Sequence, residues 1–129
     1  MAGFGDTVAQ WCAEAEEKAS QVVRWVIDEM GRRVIAYTPI DTGELVSNWN
    51  YSLTAPDNSV TAARNVRTLN HLEDMPAKAI GHLHFISSGV AHAYFNEVGT
   101  SKMEARRMLG RVELEFPAIV DAAVARLAA

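Results

Sequence analysis

The residues of this chain that could do chemistry fall in three places. Asp41-Thr42-Gly43 is a triplet in which one carboxylate, paired with a second from another half-site, shares a proton and activates water for peptide hydrolysis. His82 and His84 stand two apart, so on a strand they would face one way and could hold a metal ion with Asp74 or Glu97. Cys12 is the only cysteine, a nucleophile only if a base stood beside it.

Each has a plainer explanation. A chain of 129 residues could be one half of a dimeric aspartic protease, and Leu109-Gly110-Arg111 mimics a tripeptide found late in retroviral proteases. Such a triplet, however, works on a loop of a nearly all-β domain. Here a long helical pattern runs straight into it. Glu44 follows where those enzymes favour a small residue, and Leu109-Gly110-Arg111 lies within a helical stripe. As local structure the segment reads well. Asp41 is expected to accept backbone N–H bonds as a cap, with Glu44 at the reciprocal position, and Gly43 allows a tight reversal. Thr38 and Thr42 can bond their neighbours, and Pro39 stops the preceding helix. Thr38, Pro39, Asp41, Thr42, Gly43 and Glu44 are therefore predicted to form a structural turn that sets the angle between a helix and a strand.

The remaining candidates are weaker. His82 and His84 lack a third ligand at useful spacing and read as surface histidines; His71 and His92 have no legible partner. Cys12 falls within an apolar stripe expected to be buried. No serine sits in a nucleophile elbow, and Gly3-Phe4-Gly5 lacks the strand and Gly-Lys of a phosphate loop. No catalytic residue, cofactor or metal site is expected.

The elements that must position these residues follow from spacing. From Thr7 to Tyr37, apolar residues at steps of three and four (Val8, Trp11, Cys12, Ala15, Ala19, Val22, Val26, Met30, Val34) predict one long helix, capped by Asp6 or Thr7. At roughly 45 Å it is long for so small a domain, so part of it should project or meet another copy. Trp25 lies beside the stripe. Leu45 to Leu53 alternates like a strand, with Leu45, Ser47, Trp49, Tyr51 and Leu53 on one face, and Ala55-Pro56-Asp57-Asn58-Ser59 ends it. Val60 to Val66 reads as a further strand. Leu69, Leu72 and Met75 mark a short helix, on an excursion that folds late or moves. Leu83 to Ser87 reads as a strand, and Ala91 to Val98 as a short helix stopped by Gly99. Ser101 and Glu104 are spaced as a capping box that opens a last helix, kinked at Pro117, with Leu109, Val112, Phe116, Ile119, Val120, Ala123 and Leu127 as its stripe. The alternative for 112–116 is a strand followed by a helix that Pro117 opens. The predicted class is α+β, one domain over 1–129: a small antiparallel sheet packed with a long N-terminal and a long C-terminal helix.

Composition narrows the function classes. Apolar residues make up 49% and charged residues 22%, which is ordinary for one globular domain. A net charge of −4, with Arg32-Arg33 and Arg106-Arg107 as the only basic doublets, argues against a phosphate-tracking surface. One cysteine allows no internal disulfide, which suits a reducing cytosol. No signal peptide or membrane span is legible, so a protein made in the cytoplasm is expected.

The order of landmarks resembles a known family. Thr38-Pro39-Ile40-Asp41-Thr42-Gly43-Glu44-Leu45 follows the long helix, and Ser47-Asn48-Trp49 comes next. Phe85-Ile86-Ser87-Ser88 precedes Ala93-Tyr94-Phe95-Asn96-Glu97-Val98-Gly99-Thr100-Ser101-Lys102, and an amphipathic helix from Met108 through Leu127 closes the chain. This is similar to the small neck or tail-completion proteins of lambda-like and related long-tailed bacteriophages, whose motifs read roughly Thr-Pro-Val-Asp-Thr-Gly-x-Leu and Tyr-Ala-x-x-x-Glu-x-Gly-Thr. The likeness covers about Tyr37 to Leu127. It departs where Ala93 precedes Tyr94 instead of following it, and where Ala105-Arg106-Arg107 replaces an Ala-Pro segment.

The resemblance implies a non-enzymatic virion protein, a subunit of a closed cyclic ring (a hexamer is one such ring) at the head–tail junction or the head-proximal end of the tail. Its partners would be itself, head-closure or connector proteins, and tail-tube or tail-terminator proteins. DNA would pass through without specific binding, a passage that an acidic lumen would ease. Trp25, Trp49, Tyr94, Glu97, Gly99, Thr100, Arg106 and Arg107 are the expected assembly interface, with Glu97 and the arginines as rim charges that set register. Size and acidity alone would also fit a cytosolic adaptor or antitoxin-like binding module.

Overall fold

Apolar residues every third or fourth position dominate both ends of the chain, and the computed structural model, which describes residues 3–128, has a helix at each. Helix α1 spans Phe4–Tyr37. Its cap is not Asp6 or Thr7, as the sequence led us to expect, but Gly3, whose N–H donates to Asp6 Oδ2 at 3.3 Å. A carboxylate at the third helical position thus satisfies a group outside the helix, and the first turn gains three residues. At the other end Thr38 is extended (φ −78°, ψ 123°), the geometry that Pro39 imposes on the residue before it.

After α1 the chain turns a corner. The strand expected from Leu45 begins only at Asn50. Leu45 is helical, Val46–Asn48 is a single 3-10 turn, and β1 is Asn50–Leu53. Local polar bonds outcompete the ladder here: Ser47 N–H donates to Gly43 O at 3.3 Å and Asn48 Nδ2 to Glu44 O at 2.7 Å. Strand β2, His84–Ser87, pairs antiparallel with β1, from Asn50 opposite Ser87 to Leu53 opposite His84. Among the described residues this is the whole sheet.

No strand forms over Val60 to Val66. The excursion between β1 and β2 is instead held by buried amides and hydroxyls. Asn48 Oδ1 accepts the Thr61 N–H at 2.7 Å, and Ser47 Oγ accepts that of Val66 at 2.9 Å. Asn50 Nδ2 donates to both Asp57 O and Ser59 O at 2.9 Å. Asn70 bridges back through Tyr51 N–H to its carbonyl at 2.8 Å and its own N–H to Trp49 O at 2.9 Å. Leu72–Asp74 adds one 3-10 turn. Among the described residues no buried side-chain nitrogen or oxygen lacks a partner, the condition under which a polar interior specifies one structure.

Helix α2, Ala93–Val98, precedes α3, Met108–Ala128, which runs back along α1 and continues through Pro117. The inner stripe of α1 (Val26, Ile27, Val34, Ile35) meets Met108, Val112, Ile119 and Ala123 of α3, with Trp49, Tyr51 and Leu69 completing the core. This is the predicted α+β arrangement. Its core covers only part of α1, because every residue from 3 to 18 is exposed. Cys12, expected to be buried, is exposed on this projecting arm.

Candidate functional site

The first motif and the region around the second face each other across one groove, the second motif itself reaching it through Asn96. Pro39 through Leu45 forms one wall of an open groove of about 600 Å³, and His92, Asn96, Met103 and Arg106 form the other. The first wall is anchored from below. Thr38 Oγ1 donates to Val34 O at 2.7 Å and accepts the Trp49 indole N–H at 2.8 Å, in a site where Trp49 is 2% exposed. Trp49 is therefore a core pillar of the corner and not an interface residue, a correction to the expectation from its type. Gly43 has φ +84°, and a Cβ there would stand 2.9 Å from Asn65 N, so both conformation and space require glycine.

Asp41 does not cap the corner. It is exposed, and among the described residues it makes no side-chain hydrogen bond or ion pair. Thr42 takes the role, its Oγ1 accepting the Glu44 N–H at 3.3 Å, while Glu44 pairs with Arg64 at 3.3 Å. The triplet thus lies in the turn after a 34-residue helix, in a chain whose described sheet has two strands, unlike the β-rich loop setting in which such triplets hydrolyse peptides.

The second wall is a closed loop. Gly99 stops α2 at φ +80°, where a Cβ would come within 2.7 Å of Ala105 N. Thr100 and Met103 exchange backbone bonds of 2.8 and 3.3 Å, and the chain then returns along α2 with Arg106 N–H on Asn96 O at 2.6 Å and Arg107 N–H on Glu97 O at 3.3 Å. Because those donors are taken, the last helix cannot start at the Ser101–Glu104 pair and begins at Met108. Glu97 supplies what the capping box would have supplied. Its carboxylate accepts Leu109 N–H at 2.8 Å and Gly110 N–H at 3.0 Å, holding negative charge at the positive end of α3. A carboxylate committed in this way serves the fold, where the sequence had pointed to a rim charge. The spacing from Glu97 to Leu109 carries no local signal, so it could not be found by motif.

The other expected interface residues divide. Tyr94 is 67% exposed, with its ring edge-on to exposed Phe95 at 5.7 Å. Arg106 and Arg107, and with them Lys102, which was not among the expected residues, are exposed and, among the described residues, in no ion pair. Trp25 is half-buried under Arg126, whose guanidinium lies 5.2 Å from its ring. It covers the seam between α1 and the end of α3, an arrangement that also leaves one edge open to solvent.

The histidine pair is split as well. His84 Nε2 donates to Ala79 O at 2.8 Å, which leaves Nδ1 to accept the Tyr51 hydroxyl at 2.7 Å. Both nitrogens are spent on pinning β2, while His82 is exposed. Among the described residues no three His, Cys, Asp or Glu side chains gather as a metal would require.

One ionised cluster ties the helices together below the corner. Tyr37 Oη sits 2.6 Å from both oxygens of Glu115, Arg33 reaches the same carboxylate at 3.4 Å, and Arg111 lies over the Tyr37 ring. The Tyr37 bond lowers the Glu115 pKa first, with Arg33 adding to it; the same bond, then burial, raises that of Tyr37. No family model, curated protein or solved structure matches the chain.

Proposed function

We propose that this chain is a non-enzymatic structural subunit of a phage or phage-derived particle. It forms a closed ring at the head–tail junction or the head-proximal end of the tail, where it completes the tail and joins it to the head. The observation that carries this reading is the convergence of Pro39–Leu45 with His92, Asn96, Met103 and Arg106, distant in sequence, on one groove. Pro39–Leu45 belongs to the first, and Asn96 to the second, of the two motifs on which the resemblance to neck and tail-completion proteins rests. Two further features support it. The outer stripe of α1 is solvent-exposed in the single chain, with Phe4 86% and Trp11 68% exposed, and large apolar side chains aligned on one exposed helix face suit a partner. Cyclic rings give such surfaces identical partners without leaving one free.

The partners on this reading are further copies, a head-closure or connector protein on one face, and a tail-tube or terminator protein on the other. DNA passes through the ring without base-specific contact, in keeping with the net charge of −4. Negative-stain microscopy and mass photometry of the purified protein, alone and with tail tubes, test the proposal. Rings of uniform subunit number, or caps on tube ends, are the expected result. A protein that stays monomeric at high concentration and binds neither tubes nor connectors would sink it.

A further inference from the structure

The ring reading leaves open which surfaces meet, and the exposed surfaces of the single chain narrow the choice. The arm, residues 4–18, continues the seam that α3 covers further along α1, and projects about 22 Å beyond it. Its apolar edge is Phe4, Val8, Trp11 and Ala15, all exposed. Its charge is acidic: Asp6, Glu14, Glu16 and Glu17 against Lys18. Glu16 is engaged by Lys78 at the base of the arm, and the others have no cationic partner among the described residues.

Two arms laid side by side would bury their apolar edges but bring like charges together, which opposes association. One other exposed surface has aromatic residues and the opposite charge. On α2 and the loop after it, Tyr94, Phe95 and Val98 are exposed, and the loop adds exposed Lys102, Arg106 and Arg107 against Glu104 and Glu97, the latter held on the start of α3.

We infer that the arm of one copy docks on the α2 loop of the next, with Phe4 and Trp11 against Tyr94, Phe95 and Val98 and with Glu14, a carboxylate that flanks the arm's apolar edge, among Lys102, Arg106 and Arg107. The contact is head-to-tail. Each copy offers both halves, so repetition extends the assembly from copy to copy and closes a ring where the rotation per step permits. It also sets the arm at the mouth of the groove that Arg106 shares with Ile40 and Asp41. This inference rests on the ring reading and specifies its interface.

The native Cys12, exposed on the arm, makes the contact testable. Val98→Cys adds a second thiol on the opposing surface. Mild oxidation of that variant should give a ladder of covalent species beyond the dimer, collapsed by reductant. The wild type, with Cys12 alone, can reach only a dimer. Combined Lys102→Glu, Arg106→Glu and Arg107→Glu should weaken self-association at least about tenfold, and Glu14→Lys should restore part of it. All of these positions are exposed, so circular dichroism of the dilute variants should match the wild type. If rings form but no ladder appears and the charge reversals change nothing, the docking is wrong while the ring reading stands. Strong wild-type dimers through Cys12, with no species beyond the dimer from the Val98→Cys variant, would mean that arms pair with arms, and would also overturn it. If the wild type does not self-associate at all, the ring reading falls first.

Discussion

The inner and outer halves of α1 have the same apolar spacing and opposite surroundings. From Val22 to Tyr37 the stripe lies against α3 and the core, and Val34 is 1% exposed. From Phe4 to Lys18 the same stripe continues in the same phase and touches nothing. Periodicity therefore encodes that a helix has an apolar face, and is silent on whether the cover comes from the same chain. A mean over the whole helix would hide this, since the halves differ only in what stands opposite them.

The comparison can be broken most sharply by hydrogen exchange. An uncovered helical segment of this length is marginal in water, so amides of residues 4–18 should exchange orders of magnitude faster than those of 26–35 in dilute protein. Self-association should then slow them. Equal protection in the dilute monomer would show that the arm is held by something else.

Truncation should differ in the same way. Ile119→Ala, in the core opposite the inner half, should cost about 2–5 kcal/mol in denaturant unfolding. Trp11→Ala on the arm should change it by less than about 0.5 kcal/mol. A similar cost for both would remove the distinction. Where α1 ends, Thr38→Val keeps the shape but takes away the acceptor of the buried Trp49 indole. A loss of about 1–3 kcal/mol is expected, and a neutral result would mean that the indole finds another acceptor.

A smaller effect belongs to the ionised cluster on the inner half. Glu115 has its pKa lowered from about 4.5, so its contribution is present above that value and is lost as pH falls through the lowered one. Tyr37 has its pKa raised from about 10.0, so its contribution is present below that value and lost as pH rises through the raised one. Melting temperature against pH should therefore fall off at both ends, and Glu115→Gln should flatten both limbs. The smallest effect is expected one turn beyond the helix. Asp41→Ala should leave unfolding within about 0.5 kcal/mol of wild type, and a larger loss would mean that its carboxylate braces the corner after all.

Much of this architecture was legible, for identifiable reasons. Long stripes gave both long helices, and Thr38-Pro39 marked the end of the first because proline restricts its predecessor. The short strands at Asn50–Leu53 and His84–Ser87 fell within the predicted runs. The misplaced boundaries over Val60 to Val66 and at Ser101–Glu104 share one cause. Wherever a side chain bonds a backbone group far along the chain, local rules misplace a boundary. Asn48, Asn50 and Ser47 replace a strand over Val60 to Val66, and Glu97 replaces the Ser101–Glu104 capping box. A buried asparagine looks like a turn residue in sequence, and only its surroundings reveal it as a clamp. Of the candidate site, the two motifs were visible, but their meeting across a groove was not. Asp41 was assigned the task that Thr42 performs, because a carboxylate and a hydroxyl are equally good acceptors at that corner.

An unbroken helix is also a measuring rod. Its 34 residues reach about 50 Å from free tip to buried corner. With no hinge along it, the distance and rotation between the two ends are fixed by residue count. Four residues inserted after Lys18 would carry the tip about 6 Å outward and turn it by about 40°, so the curvature of any assembly gripped at that tip is already written in the length of the rod.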